Sequence, residues 1–235
     1  MHHQGLEKLA PSQIRDAWVR HIYDESQPTP YGEDEVGYQN FLWVSNQRAH
    51  TLMLEGELPP ETAHPDNNPH GDMIDAQLTT EIFGLLSPGA PDVALDIAHL
   101  PIRTAGHGDA VLAAEFYVVM HALVAQEPRG NLSSVRLQAI AAQARQYLPD
   151  DSVPAAMFDF VKRQHAAGFS WEETRDAIYQ RYQVEQLDGY TVTSRGLYCN
   201  GCFAAGINFA ASLVSLFYGE GDVKKTWQIA VLAGW

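Results

Sequence analysis

Two polar stretches carry the residue types that could bind a ligand. In the first, Asn67, Asn68 and His70 stand in a proline-bounded loop running into Asp72, Asp75 and Gln77 at the start of an expected helix. Free backbone N–H groups and the helix dipole at such a place suit an anion, a pyrophosphate included. Asp72 brings its own negative charge, as a capping residue does, and Asp75 three residues on shares its face. Capping and solvation are the simpler account of the two carboxylates. The second stretch is Thr104-Ala105-Gly106-His107-Gly108-Asp109, placed before an apolar helix. Its glycines permit close backbone approach to a ligand, and His107 could stack or donate. A tight turn with a surface histidine explains it equally well. It is not a dinucleotide-binding fingerprint, since it lacks a preceding strand and a third glycine.

Other candidates are weaker. Cys199 and Cys202 form a Cys-x-x-Cys pair, which serves in redox or zinc sites. No second pair or neighbouring histidine supports it, so ordinary thiols are expected. The run Gly32-Glu33-Asp34-Glu35 reads as a solvated loop rather than a metal site. Convergence of two carboxylates for glycoside chemistry happens in space and cannot be read from spacing. No nucleophile elbow, His-Glu-x-x-His or phosphate-loop motif is present.

The elements that must position these stretches are helical. Ser12 is a plausible N-cap for a helix with Ile14, Ala17, Trp18 and Ile22 on one face. A polar loop over 24–35 leads to a second helix over 36–55. Residues 56–71 hold four prolines and form a long loop of the kind that is often functional. Helices are then expected from Asp72 to Leu86, over 91–99, from the 100–109 loop to Ala125, and over 132–147, 152–167 and 170–183. The last starts with a capping box, Ser170 and Glu173. The segment 184–200 is irregular, with YTVT as a possible short strand, and two helices follow. The class is all-α.

Composition narrows the function. A chain of 235 residues with 46% hydrophobic and 19% charged content suits one globular domain. A formal charge of −14 repels polyphosphate backbones and disfavours nucleic acid, though a small phosphorylated ligand needs only a few local donors. No signal peptide is visible, and the apolar stretch 202–218, interrupted by Asn208, suits a buried helix better than a membrane span. A cytoplasmic protein with no membrane partner is expected.

Several short motifs, in order from about residue 6 to 235, resemble the ADP-ribosylglycohydrolase family, and a bacterial branch of it in particular. Phe41-Leu42-Trp43-Val44-Ser45-Asn46-Gln47-Arg48-Ala49 resembles the family's Trp-Val-Ala-Asn-Arg-Ala helix, and Gly56 to Pro60 its Gly-x-x-Pro-Pro. Asn67-Asn68-Pro69, Asp72, Ile74-Asp75-Ala76-Gln77, Gly84-Leu85 and Pro88-Gly89-x-Pro91 match the branch signature. The end of the chain, from Cys202 to Gly234-Trp235, resembles the stretch that precedes the family's Asp-x-Asp metal motif.

The resemblance implies an orthogonal multi-helix bundle with a binuclear Mg²⁺ centre. It also implies hydrolysis of the bond between ADP-ribose and a protein side chain or other acceptor. The ligand would be ADP-ribose or an ADP-ribosylated small molecule or protein. Asn68, Asp75, Gln77, Gly108 and Asp109 match positions that line the ligand cleft in relatives, and His107 stands beside them. Where relatives often read Gly-Asp-Gly-x-Tyr-Gly, this chain has Gly108-Asp109-Ala110-Val111-Leu112-Ala113, which removes a glycine turn and an aromatic hydroxyl. Neither the Thr-Asp-Asp-like motif nor Asp-x-Asp occurs, so no residue is expected to ligate metal. Residues 1–235 are therefore expected to be one partial domain, truncated at both ends and inactive as it stands. The alternative is a non-catalytic binding or structural module on the same scaffold.

Overall fold

The computed structural model describes residues 9–22, 42, 44–128, 130, 132–191 and 204–233. Their regular structure is helical: α1 (Pro11–His21), α2 (Val44–Leu54), α3 (Glu81–Leu86), α4 (Pro91–Ile102), α5 (Asp109–Ala125), α6 (Ser134–Arg145), α7 (Val153–Ala166), α8 (Trp171–Ile178), α9 (Ala205–Tyr218) and α10 (Val223–Leu232). Short 3₁₀ turns cover Glu61–Ala63 and Ile74–Gln77, and a π-helical turn covers Tyr179–Val184. No strand occurs among the described residues, where an isolated bridge joins Met73 to Ala204.

α5 is apolar around most of its circumference, which is the signature of a helix enclosed by others. It packs against α3, α4, α6, α7 and α9. Phe116 of α5 anchors the main core, its ring centroid 5.1 Å from Phe209 of α9 and 5.8 Å from Phe158 of α7. A second core of small residues joins α4 to α5 through Ala94, Ala98, Ala114, Val118 and Ala122. Gly84 lets α3 sit on the same helix, since a Cβ there would stand 2.4 Å from His121 Cβ and 2.6 Å from the Ala122 nitrogen. A third cluster, Ala49, Met53 and Ala105 with Trp18 against it, ties α1 and α2 to the 104–109 turn.

Polar side chains end the helices where the sequence places them. Ser133, Ser152, Ser170 and Asp222 accept from backbone N–H groups at 3.2, 3.3, 3.2 and 2.8 Å. Glu173 completes the expected box by accepting from the Ser170 amide at 2.7 Å. Ser12, by contrast, lies inside α1. Pro11 occupies the first turn, where its missing N–H costs nothing, and Gln13 accepts from the Ala10 amide at 2.7 Å.

The expected helix from Asp72 to Leu86 is interrupted. Tertiary partners take its backbone: the Asp72 carbonyl accepts from the Ala205 amide at 2.9 Å, and Met73 pairs with Ala204. Thr80 donates back to the Gln77 carbonyl at 3.1 Å, a side-chain bond of the kind that competes with helix propagation. α4 runs past 99 to Ile102, with Pro101 tolerated in its last turn. α8 gives way after Ile178 to the π turn, where Arg181 pairs with Asp188 at 2.8 Å. Tyr190 and Thr191 are not in a strand, and the rest of YTVT lies outside the described residues. So do the Gly32–Glu35 run, Cys199 and Cys202. No helix among the described residues is long and apolar enough to cross a membrane.

Candidate functional site

The loop after α2 is fixed by amide side chains. Asn68 is fully buried; its Nδ2 donates to the Ser45 carbonyl at 2.9 Å and the Thr62 carbonyl at 3.1 Å, and its Oδ1 accepts from the His70 amide at 3.3 Å. Arg48 Nε holds the Asn67 carbonyl at 2.9 Å. Thr62 donates to the Thr104 carbonyl at 2.7 Å and so fastens this loop to the second polar stretch. That stretch is also joined to the first by its backbone: the His107 amide donates to the Gly71 carbonyl at 2.8 Å. The His107 ring lies over Gly71, where a Cβ would come within 2.4 Å of His107 Cδ2. Glycine is required there by close approach. The two stretches read separately in sequence are one place in the fold.

Three of the expected binding residues are engaged in holding it. Asn68 is saturated by backbone groups. Asp75 is buried and accepts from Asn46 Nδ2 at 3.0 Å. Burial raises its carboxyl pKa, partly offset by the Ser45 hydroxyl, the Asp75 and Asn46 amides and His70. Gln77 donates to the Ala205 carbonyl at 3.2 Å, across to the start of α9. These side chains shape the site from behind.

The other three face an open cleft of about 510 Å³, whose lining includes Pro60, Glu61, His64 and Pro65 from the loop and Arg103, His107, Gly108, Asp109 and Leu112 from the second stretch and its flanks. Gly108 caps α5 with φ +55° and ψ −133°, a backbone state that a side chain would strain although the space around it is open. Asp109, in the first turn of α5, has no side-chain hydrogen bond among the described residues, and burial pushes its carboxyl pKa upward. Burial lowers the His107 imidazole; the Asp72 carboxylate works against this and the His64 charge adds to it. At the rim, Arg103 is held by Glu115 at 2.8 Å and by the His99 carbonyl at 3.1 Å. The cleft thus offers two imidazoles, a guanidinium and two carboxylates, Glu61 and Asp109, over an apolar wall, which suits a polar ligand with an apolar ring or stem.

His64, Arg103 and Tyr190 escaped the reading of the sequence. His64 and Arg103 carry no local signal, because the cleft wall they form exists only once the loop docks on α4 and α5. Tyr190 lies in the segment that follows the π turn and packs against Gly206 at the start of α9. No three His, Cys, Asp or Glu side chains converge to hold a metal ion among the described residues, so this set does not fit a binuclear centre.

An all-α domain with a polar cleft beside the N-terminus of its central helix is the class these features define. Comparison of the chain with protein-family models, curated proteins and solved structures finds no match.

Proposed function

We propose that this domain binds ADP-ribose, free or attached to an acceptor, and belongs to a hydrolase of the ADP-ribosylglycohydrolase kind. One observation supports this above the rest. The two stretches whose motifs resemble that family's cleft, 67–77 and 104–109, are joined by the His107–Gly71 hydrogen bond, and the second of them lines an open cleft together with residues 60–65 just before the first. The chemistry of the lining suits such a ligand. Arg103, His64 and His107 can meet a diphosphate, while Leu112 and the prolines offer an apolar surface to a base.

Hydrolysis in this reading depends on Mg²⁺, and the described residues supply no ligand set for it, so the domain's own contribution is to bind and orient. The test is titration of the protein with ADP-ribose by calorimetry, followed by assay of Mg²⁺-dependent ADP-ribose release from an ADP-ribosylated peptide. Binding with release supports the hydrolase. Absence of ADP-ribose binding at millimolar concentration rejects the reading.

A second reading, a non-catalytic binding or structural module, is favoured by one specific finding. Asn68, Asp75 and Gln77 are committed to hydrogen bonds within the fold rather than to the cleft. Binding of ADP-ribose without release, in the presence of Mg²⁺, selects this alternative.

A further inference from the structure

Behind the cleft, segments distant in sequence meet around three polar side chains. The Asp72 carbonyl is bonded to the Ala205 amide at 2.9 Å, and the Tyr190 ring lies against the neighbouring Gly206, where a Cβ would stand 2.8 Å from Tyr190 Cε2. The His107–Gly71 bond brings the turn that carries Asp109 to the same place. Asp72 Oδ1 is buried with no hydrogen-bond partner among the described residues. The Tyr190 side chain is 5% exposed, and its hydroxyl is buried without a hydrogen bond of normal geometry. Asp109 has no side-chain hydrogen bond among the described residues. Each buried polar group left unpaired costs about 1–3 kcal/mol, so Asp72 Oδ1 and the Tyr190 hydroxyl together call for a partner.

The charges of the two carboxylates are felt at the phenol. Burial and the Asp72 and Asp109 carboxylates together push the Tyr190 phenol up to about 12, and Asp72 acts on His107 as well. The Ile207 amide and Gln183 side chain act on the phenol oxygen as donors, in the opposite sense. That leaves the phenol's own proton for another acceptor. Paired carboxylates repel an anion. Two neutral hydroxyls suit the set: each can donate to a carboxylate oxygen, and one can accept from the phenol. A carboxylate that accepts from ribose hydroxyls is a recurrent way of recognising nucleotides.

We infer that Asp72, Asp109 and Tyr190 form one position for a vicinal diol, a ribose of the ligand, with Tyr190 as a specificity-determining residue. This rests on the ADP-ribose reading above. Of the three, Asp109 lines the open cleft, and Asp72 and Tyr190 stand behind it, so Asp109 is the link between the diol position and the cleft. Tyr190 restores from another element the aromatic hydroxyl that the 108–113 stretch lacks.

The experiment is calorimetric titration of wild type, Tyr190→Phe and Asp72→Asn with ADP-ribose and with ADP. Tyr190→Phe keeps the ring on Gly206 and deletes only the hydroxyl. It is expected to weaken ADP-ribose binding about 3- to 10-fold, and Asp72→Asn about 10-fold or more. An equal loss for ADP identifies the adenosine ribose as the diol, and a loss confined to ADP-ribose identifies the second ribose. Wild-type affinity for ADP-ribose in both variants overturns the inference and leaves the ADP-ribose reading standing. Failure of the wild type to bind ADP-ribose overturns both. Thermal melts establish that each variant is folded. If Tyr190→Phe is not, Asp72→Asn decides, together with ultraviolet difference spectra of the wild type, in which ligand must perturb a buried tyrosine.

Discussion

Asn68 and Asp109 show how differently two residues of one site can be used. The Asn68 amide meets three backbone groups, so Asn68→Ala leaves the Ser45 and Thr62 carbonyls and the His70 amide short of a partner. A loss of about 2–4 kcal/mol in unfolding free energy is expected, measured by urea denaturation. Asp109 has the opposite character. Its carboxyl pKa is raised by burial alone, so the folded protein holds the proton more tightly than the unfolded chain does. When protonated the group costs nothing on this account. As pH rises from the ordinary value of 3.8 through the higher folded value, ionisation destabilises the native state. Asp109→Asn should therefore match the wild type below that window and exceed it in stability above. Denaturation midpoints from pH 3 upward, at roughly unit intervals, check this; a wild type that gains on the variant as pH rises would contradict it.

At the scale of the element, helix contacts depend on small residues as much as on large ones. Gly84 is held against the backbone of α5, which cannot yield as a flexible side chain would. Gly84→Val should cost about 1–3 kcal/mol or more and displace α3, visible as a lower thermal midpoint and faster amide exchange in α3. The start of α8 was legible from sequence at Ser170 with Glu173, because that chemistry is local, whereas the cap expected at Ser12 lies inside α1. The region 72–86 was not legible as a single helix. Its pattern suits one, but the pairing of Asp72 and Met73 with residues 204 and 205 supplies different hydrogen bonds for the same backbone. A partner more than a hundred residues away leaves no trace in local spacing.

For the whole molecule, stability rests on α5 and the aromatic contacts around it. Phe116 is 1% exposed and touches α7 and α9 through Phe158 and Phe209. Phe116→Ala should cost about 3–5 kcal/mol, with near- and far-ultraviolet circular dichroism melting together if the helices share one cooperative core. A variant that loses only near-ultraviolet signal would show that the helices persist without that packing. The molecular surface also bears on partners. Against a formal charge of −14, the Arg103 guanidinium and the His64 and His107 imidazoles share the cleft with Glu61 and Asp109, so a small anionic ligand must be met by the guanidinium and kept from the carboxylates.

The sequence by itself determined the helical class, most of the helix spans and the two polar stretches that meet beside the cleft. Those features depend on periodicity, caps and turn residues within a few positions of one another. Only the tertiary structure decided which of the candidate side chains remain available. Asn68, Asp75 and Gln77 were drawn into the fold by partners on α2 and α9, while His64, Arg103 and Tyr190 were brought to the site from elsewhere. Hydrogen-bond partners and burial are properties of chain segments meeting in space, and no spacing along the chain records them.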